Sequence, residues 1–268
     1  MAFDADFLRR MESLGSQKHD FQVPVLSSEQ FHAHLGTAAP ERLGQGNSGT
    51  AFLNGQKDLV MKYADNLAAF RSFILEAKVM SLFSKYHGFQ RLVGVCPEKT
   101  CLVTRYAGQT LKAYGVPGSL KAEQRISVAR QVCKILQNLH LNDFAHNDIK
   151  PANICIRMSA GRPQVTLIDF GLTLVAGMLP RLATKWHERL FHAPEICGSE
   201  KPGPCGGLSD VYSVGKLLLY LFEEPQMPPL LQGWLSKSQA VSPSERSALD
   251  LLVEALEQEL ILRTGRSF

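Results

Sequence analysis

Apolar residues along this chain recur at two different spacings, and the change between them falls near residues 104–109. Ahead of that point the pattern is strand-like. "ERLGQGNSGTAFLNGQKDLVMKY" alternates short β-prone runs with glycine turns and predicts two or three strands. "RLVGV" and "CLVTRYA" predict two more. Between them, Phe70, Phe73, Ile74, Ala77 and Ser81 share one helical face over about residues 66–84. Residues 1–35 carry only a weak helical pattern, at Phe3, Phe7, Leu8 and Met11. Beyond Gly108 the spacing turns mostly helical. Ile126, Ala129, Cys133, Leu136 and Leu139–His140 line a stripe over 120–140, and "LSDVYSVGKLLLYLF" at 208–222 predicts a deeply buried helix. "NICIRM" and "VTLIDFG" predict short strands around a Gly-Arg-Pro turn at 161–163. "KPGPCGG" and "EEPQMPPL" predict loops, and Ser242-Pro243-Ser244-Glu245 predicts the start of a last helix over about 243–262. The pattern as a whole is α+β, with a strand-rich first part and a helix-rich second part.

Composition narrows the setting. The 268 residues are 45% hydrophobic and 20% charged, ordinary for a globular protein with a substantial core. No apolar run approaches the roughly 18 residues of a membrane helix, and the N-terminus lacks the apolar stretch of a secretion signal. A net charge of +4 without any Lys/Arg run favours a solvated surface over a nucleic-acid groove. The six cysteines form no C-x-x-C pair and no zinc spacing. Buried reduced thiols are the expectation, which points to an intracellular, cytoplasmic location.

Candidate chemistry lies at five places. Gly44, Gly46 and Gly49 form G-x-G-x-x-G, which lets backbone N–H groups approach a polyphosphate. The β-like "TAFLN" that follows favours a hairpin lying over phosphates rather than a dinucleotide-binding turn. Lys62 stands in the next strand; buried near phosphates it needs a counter-charge, and Glu76 on the 66–84 helix is well placed to supply it. In "FAHNDIKPANICI", Asp148 can accept or orient a hydroxyl proton, Lys150 can neutralise a phosphoryl group and Asn153 can ligate Mg²⁺. Asp169 in "LIDFG" ends a strand before a glycine, a fitting place for a hard-metal carboxylate.

Taken in order, these features resemble the eukaryotic-type protein kinase family over residues 40 to about 222. The resemblance implies a two-lobed fold, with an N-lobe at about 36–107, a C-lobe at about 108–268 and an extension of unknown role at 1–35. It places a gatekeeper-like Thr104 before a hinge at Arg105–Ala107 that includes Tyr106. His146–Asn153 becomes the catalytic loop, Asp169-Phe170-Gly171 the metal-holding turn, Ala193-Pro194-Glu195 the end of the activation segment, and Asp210 the anchor of the catalytic loop. It implies ATP and Mg²⁺ as cofactors and a protein Ser/Thr hydroxyl as acceptor, "DIKPAN" resembling the Ser/Thr type. It names no particular substrate protein.

Three departures from the family stand out. Asn147 replaces the arginine that binds a loop phosphate, so activity is expected not to need that phosphate; only Thr173 and Thr184 supply hydroxyls between Asp169 and Glu195. Glu188 stands where the family has threonine, five residues before Ala193. Only about 45 residues follow the buried helix, which resembles the trimmed C-lobe of some viral and bacterial-effector kinases. Two other readings stay open: a pseudokinase serving as an ATP-binding scaffold, and a small-molecule kinase of aminoglycoside or choline type, against which Lys150-Pro151 and Ala193-Pro194-Glu195 speak.

Overall fold

The alternation of Met61 and Lys62 along one strand organises the first part of the chain, as seen in a computed structural model that describes residues 22–46, 48–56, 58–115, 119–180, 191–197, 203–223 and 226–265. The pattern at Phe3–Met11, together with Thr184 and Glu188, lies outside these residues. The chain divides into two units, Met1–Ala107 and Gly108–Phe268.

In the first unit, helix α1 (Ser28–Leu35) precedes strands β1 (Glu41–Gln45), β2 (Gly49–Leu53) and β3 (Leu59–Ala64). Helix α2 (Leu67–Leu82) and strands β4 (Leu92–Cys96) and β5 (Cys101–Arg105) complete it. The strands form one antiparallel sheet in the order β1-β2-β3-β5-β4. Successive side chains on a strand point to opposite faces. Met61 joins Leu26, Phe31, Leu59, Cys96, Cys101 and Val103 in a buried cluster on one face, while Lys62 points the other way, to α2.

Part of the weakly patterned N-terminal stretch is thus built into this sheet. Leu26 N–H donates to Val95 O, and Val95 N–H donates to Pro24 O, at 2.8 and 2.9 Å, so the segment runs beside the β4 edge. It passes so close that a Cβ on Gly94 would lie 2.8 Å from Pro24 O. A capping box, Ser27 with Gln30, starts α1. That S-x-x-Q signal was present in the sequence, but Phe31 and Leu35 alone make too short a stripe to register. Ser81 Oγ of α2 also donates to Gln22 O.

The second unit starts with β6 (Gln109–Thr110), a short helix α3 (Leu111–Tyr114) and the long α4 (Ala122–His140). Strands β7 (Phe144–Ala145), β8 (Ile154–Ser159), β9 (Arg162–Leu167) and β10 (Leu174–Val175) follow. Helices α5 (Gly207–Leu221), α6 (Pro229–Ser238) and α7 (Leu249–Thr264) close the unit. The expected stripe of α4 is buried except at His140, which is partly exposed, and Arg130 and Lys134 on this helix pair with Glu257 on α7. Gly108 enters at φ 105, and a Cβ there would lie 2.4 Å from Ile156 O, so only glycine fits.

Three expectations need correction. The turn between β8 and β9 is Ala160-Gly161, both at positive φ, and Arg162 and Pro163 already belong to β9. Pro163 is tolerated because β9 is an edge strand. The loop expected over "EEPQMPPL" gives way to helix α6 at Pro229, proline being well suited to a helix's first turn. Ser242 starts only a 3₁₀ turn at Pro243–Glu245. Arg246 is then extended, its side chain drawn into the core, and α7 begins at Leu249.

Replacing Phe31, 1% exposed, with alanine should destabilise the first unit by about 3–5 kcal/mol. Chemical denaturation of the variant against the parent protein measures this; an unchanged midpoint would show that α1 is not part of the core.

Candidate active site

Within the first unit, the glycine motif spans the β1–β2 hairpin. Gly46 N–H donates to Gly49 O at 2.9 Å, closing the turn. A Cβ on Gly49 would lie 1.9 Å from Tyr63 O, so the close packing of β2 on β3 demands glycine. Gly44 and Gly46 have no protein atom closer than 4.0 Å to the place of a Cβ, which leaves open space along the exposed hairpin. Lys62 Nζ lies 2.9 Å from Glu76 Oε2 and 4.8 Å from the centre of the Phe73 ring. The Glu76 side chain is only 2% exposed, so this carboxylate is a buried charge matched by a lysine, as the sequence suggested. Thr104 is buried, and its Oγ1 accepts from Gln90 Nε2 at 2.8 Å. Tyr106 N–H donates to Asp58 O, and Arg105 pairs with the Asp58 carboxylate, fixing the strand where it leaves the sheet.

Within the second unit, the chain at residues 146–148 is shaped by Asp210, at the first turn of α5. Its carboxylate is wholly buried. One oxygen accepts from His146 N–H, the other from Asn147 N–H, each at 2.8 Å, and His140 Nε2 lies 2.9 Å from the first. Asn147 is held at φ 63, a left-handed conformation that asparagine tolerates better than most residues. Its Nδ2 donates to Ala145 O and Leu172 O, tying the loop to the chain just beyond Asp169. β7 and β10 pair across the same junction. His146 is fully buried, its ring packs on Phe170 at 5.2 Å, and burial pushes its pKa down, so it is neutral.

Asp148, Lys150 and Asn153 meet at one point. Lys150 Nζ donates to both Asp148 oxygens, at 2.9 and 2.7 Å. A 3₁₀ turn over Pro151–Asn153 brings Asn153 back, so that its Nδ2 donates to Asp148 O and Oδ2 at 2.9 and 2.8 Å. Because a carbonyl only accepts, the amide nitrogen must face Asp148, and Oδ1 is turned away from it as a ligand donor. Burial pushes the Asp148 pKa up, but the donors at His192 and Lys150 outweigh it and bring it down to about 2. The carboxylate therefore stays ionised at neutral pH. Asp169 stands half-buried at φ 63, next to Ile168, whose N–H donates to Asn153 O. Asn153 and Asp169 offer the amide and carboxylate oxygens that suit a hard cation.

Two residues that brace this cluster and the segment beside it escaped the sequence reading. His192 Nε2 lies 3.0 Å from Asp148 Oδ1, though out of line for a linear hydrogen bond. Arg246 makes two bonds to the Glu195 carboxylate, at 2.7 and 2.8 Å. Its remaining N–H groups donate to the carbonyls of Ala240, Leu208 and Val241, so all five are used. Nothing near Arg246 in the chain marks it, since Glu195 lies 51 residues away. His192 adjoins Ala193-Pro194-Glu195, a position that could have drawn notice.

Residues 38–248 match the family described as the protein kinase domain. The chain belongs to the protein kinase family. Among similar proteins, this kinase chain is 31% identical over 115 residues to the serine/threonine-protein kinase TOS3 of Saccharomyces cerevisiae, covering 39% of the chain and 20% of that protein. It is 26% identical over 245 residues to serine/threonine-protein kinase pkn2 of Myxococcus xanthus, covering 81% of the chain and 29% of that protein. To Pkn1 of the same organism it is 27% identical over 249 residues, covering 83% and 34%. The kinase chain therefore spans between about a fifth and about a third of the length of these relatives. No helix among its described residues is long and apolar enough to cross a membrane.

Removing one partner of a buried ion pair strands the other charge. Arg246→Ala should destabilise the second unit by about 3–5 kcal/mol, and Arg246→Lys, which cannot make the bidentate contact, should restore little of it. Urea denaturation of the three proteins checks this; equal midpoints would contradict it.

Proposed function

We propose that this chain transfers the γ-phosphate of Mg-ATP to serine or threonine hydroxyls of protein substrates. The observation that carries the reading is the meeting of Asp148, Lys150 and Asn153 in one buried cluster, with an Asp148 carboxylate that stays ionised down to about pH 2. The Ser/Thr assignment is supported by "DIKPAN" and by relatives named as serine/threonine kinases.

Each residue then has a part. Asp148 is ionised at neutral pH, so it can orient the acceptor hydroxyl by taking its hydrogen bond. Lys150, the most exposed member of the cluster, is free to turn to a phosphate oxygen and balance its charge. Asn153 Oδ1 and the Asp169 carboxylate would hold the metal, and Lys62, kept in place by Glu76, would contact the phosphates. The open hairpin at Gly44 and Gly46 leaves room for backbone N–H groups to cover them, and Thr104 and Tyr106 would border the base. When bound, Mg-ATP supplies the phosphoryl group and metal charge at its oxygens.

The same reading holds that the activation segment needs no phosphate. Asn147 is 1% exposed, and its amide joins the loop to Leu172 O with no phosphate involved. Thr173, one of two hydroxyls available, is buried. The six free, buried cysteines fit a reducing, cytoplasmic setting.

With radiolabelled Mg-ATP and a generic protein acceptor, the parent protein should label the acceptor, and Asp148→Ala and Asp169→Ala should each lower kcat by orders of magnitude. ATP binding with no transfer would favour a scaffold, and labelling only of small hydroxyl compounds a small-molecule kinase. Treatment with phosphatase should leave the rate unchanged; a large loss, restored by phosphate on Thr173 or Thr184, would contradict phosphate independence.

A further inference from the structure

His192 is only 4% exposed, takes no part in the chemistry above, and yet touches the carboxylate on which that chemistry turns. A carboxylate offers about four acceptor positions. On Asp148 three are taken by hydrogen bonds, Lys150 Nζ reaching both oxygens and Asn153 Nδ2 reaching Oδ2, and His192 Nε2 stands 3.0 Å from Oδ1 and crowds the fourth. An acceptor hydroxyl needs one of these positions, so one donor must give way.

Exposure and anchoring decide which. The Lys150 side chain is 34% exposed, on a flexible stem. Asn153 is buried and fixed by its turn. His192 is buried at the head of a rigidly seated segment. Ala193, Ile196 and Cys197 are packed with Ala145 and Tyr212, and Glu195 is gripped by Arg246 and by Ser209 Oγ at 2.8 Å. The lysine is therefore the exchangeable donor. The two buried groups remain, one on each oxygen.

We propose that His192 is a positioning residue for Asp148. Donating from Nε2, it pins Oδ1 while Asn153 pins Oδ2, and together they set the carboxylate plane that receives the acceptor hydroxyl once Lys150 turns to phosphate. The contact, out of line now, tightens when the lysine leaves, as contacts in unliganded sites commonly do. Neither ring nitrogen is held by an in-line hydrogen bond, so the ring takes its orientation from its seat on the segment. The readiness of Asp148 thereby depends on residues 191–197 being docked on Arg246.

This inference rests on the transferase reading, so its test carries a readout that does not. Parent protein, His192→Ala and His192→Gln are compared with Mg-ATP and dephosphorylated casein. His192→Ala should lower kcat about 10–100-fold with ATP affinity unchanged, and His192→Gln, whose amide Nε2 can donate to the same oxygen, should restore most of it. Equal or faster transfer by His192→Ala, or a loss that glutamine does not relieve, overturns the proposal. Independently of turnover, nitrogen-15 NMR of histidine-labelled protein should show the His192 ring signals shift on Asp148→Asn. Unchanged signals overturn the proposal even if the parent protein transfers no phosphate, an outcome that by itself would refute only the transferase reading.

Discussion

A single buried carboxylate, that of Asp210, sets the shape on which the second unit's chemistry depends. A charge with no access to water must be matched by donors, and Asp210 finds two of them in consecutive backbone N–H groups, of His146 and Asn147. Collecting both forces the chain at Asn147 into a left-handed turn, a conformation that costs roughly 1–2 kcal/mol for an ordinary residue. That turn aims Asp148 toward Lys150 and Asn153. The strain is held because the loop is determined from several sides: by Asp210, by the pairing of β7 with β10, and by the Asn147 amide on Leu172 O.

The same principle recurs elsewhere with other partners. Glu76 is a buried acid made tolerable by Lys62 in the first unit, and Glu195 by a fully saturated Arg246 in the second. In each case a charge too costly to leave unpaired fixes one element against another: helix α2 on the sheet, the segment 191–197 on α5 and the chain before α7. Such pairs need not add stability compared with apolar packing. They do add definition, because only one arrangement satisfies them. Asp148 differs in kind. Its donors bring its pKa down to about 2, and one of them, the lysine, is exposed enough to exchange.

The parts legible in the sequence were those whose chemistry is local. Asp148, Lys150 and Asn153 act within one turn, so their spacing is their geometry. The strands β1 to β5 and helices α2, α4 and α5 announce themselves by periodicity over many residues. The Lys62–Glu76 pair was legible because few acids stand nearby. What escaped depends on long separations or on brief signals. Arg246 reaches Glu195 across 51 residues, Gln90 binds Thr104 from outside any regular element, and His192 reaches Asp148 from a distant stretch of chain, residues 191–197. α1 was hidden because two apolar residues make too short a stripe, and α6 because its prolines read as loop when they in fact begin a helix.

The most direct test of this account is the phosphate-transfer rate of Asp210→Asn beside its affinity for ATP. Asparagine fits the space but loses the charge and one of the two acceptor oxygens, so the turn at Asn147 should relax. The account predicts a kcat lower by about 10²-fold with ATP affinity unchanged, because Lys62, Glu76 and the glycine hairpin are untouched. A variant that transfers phosphate at the parent rate would contradict it, since Asp148 would then hold its working position without the carboxylate on which the loop is built.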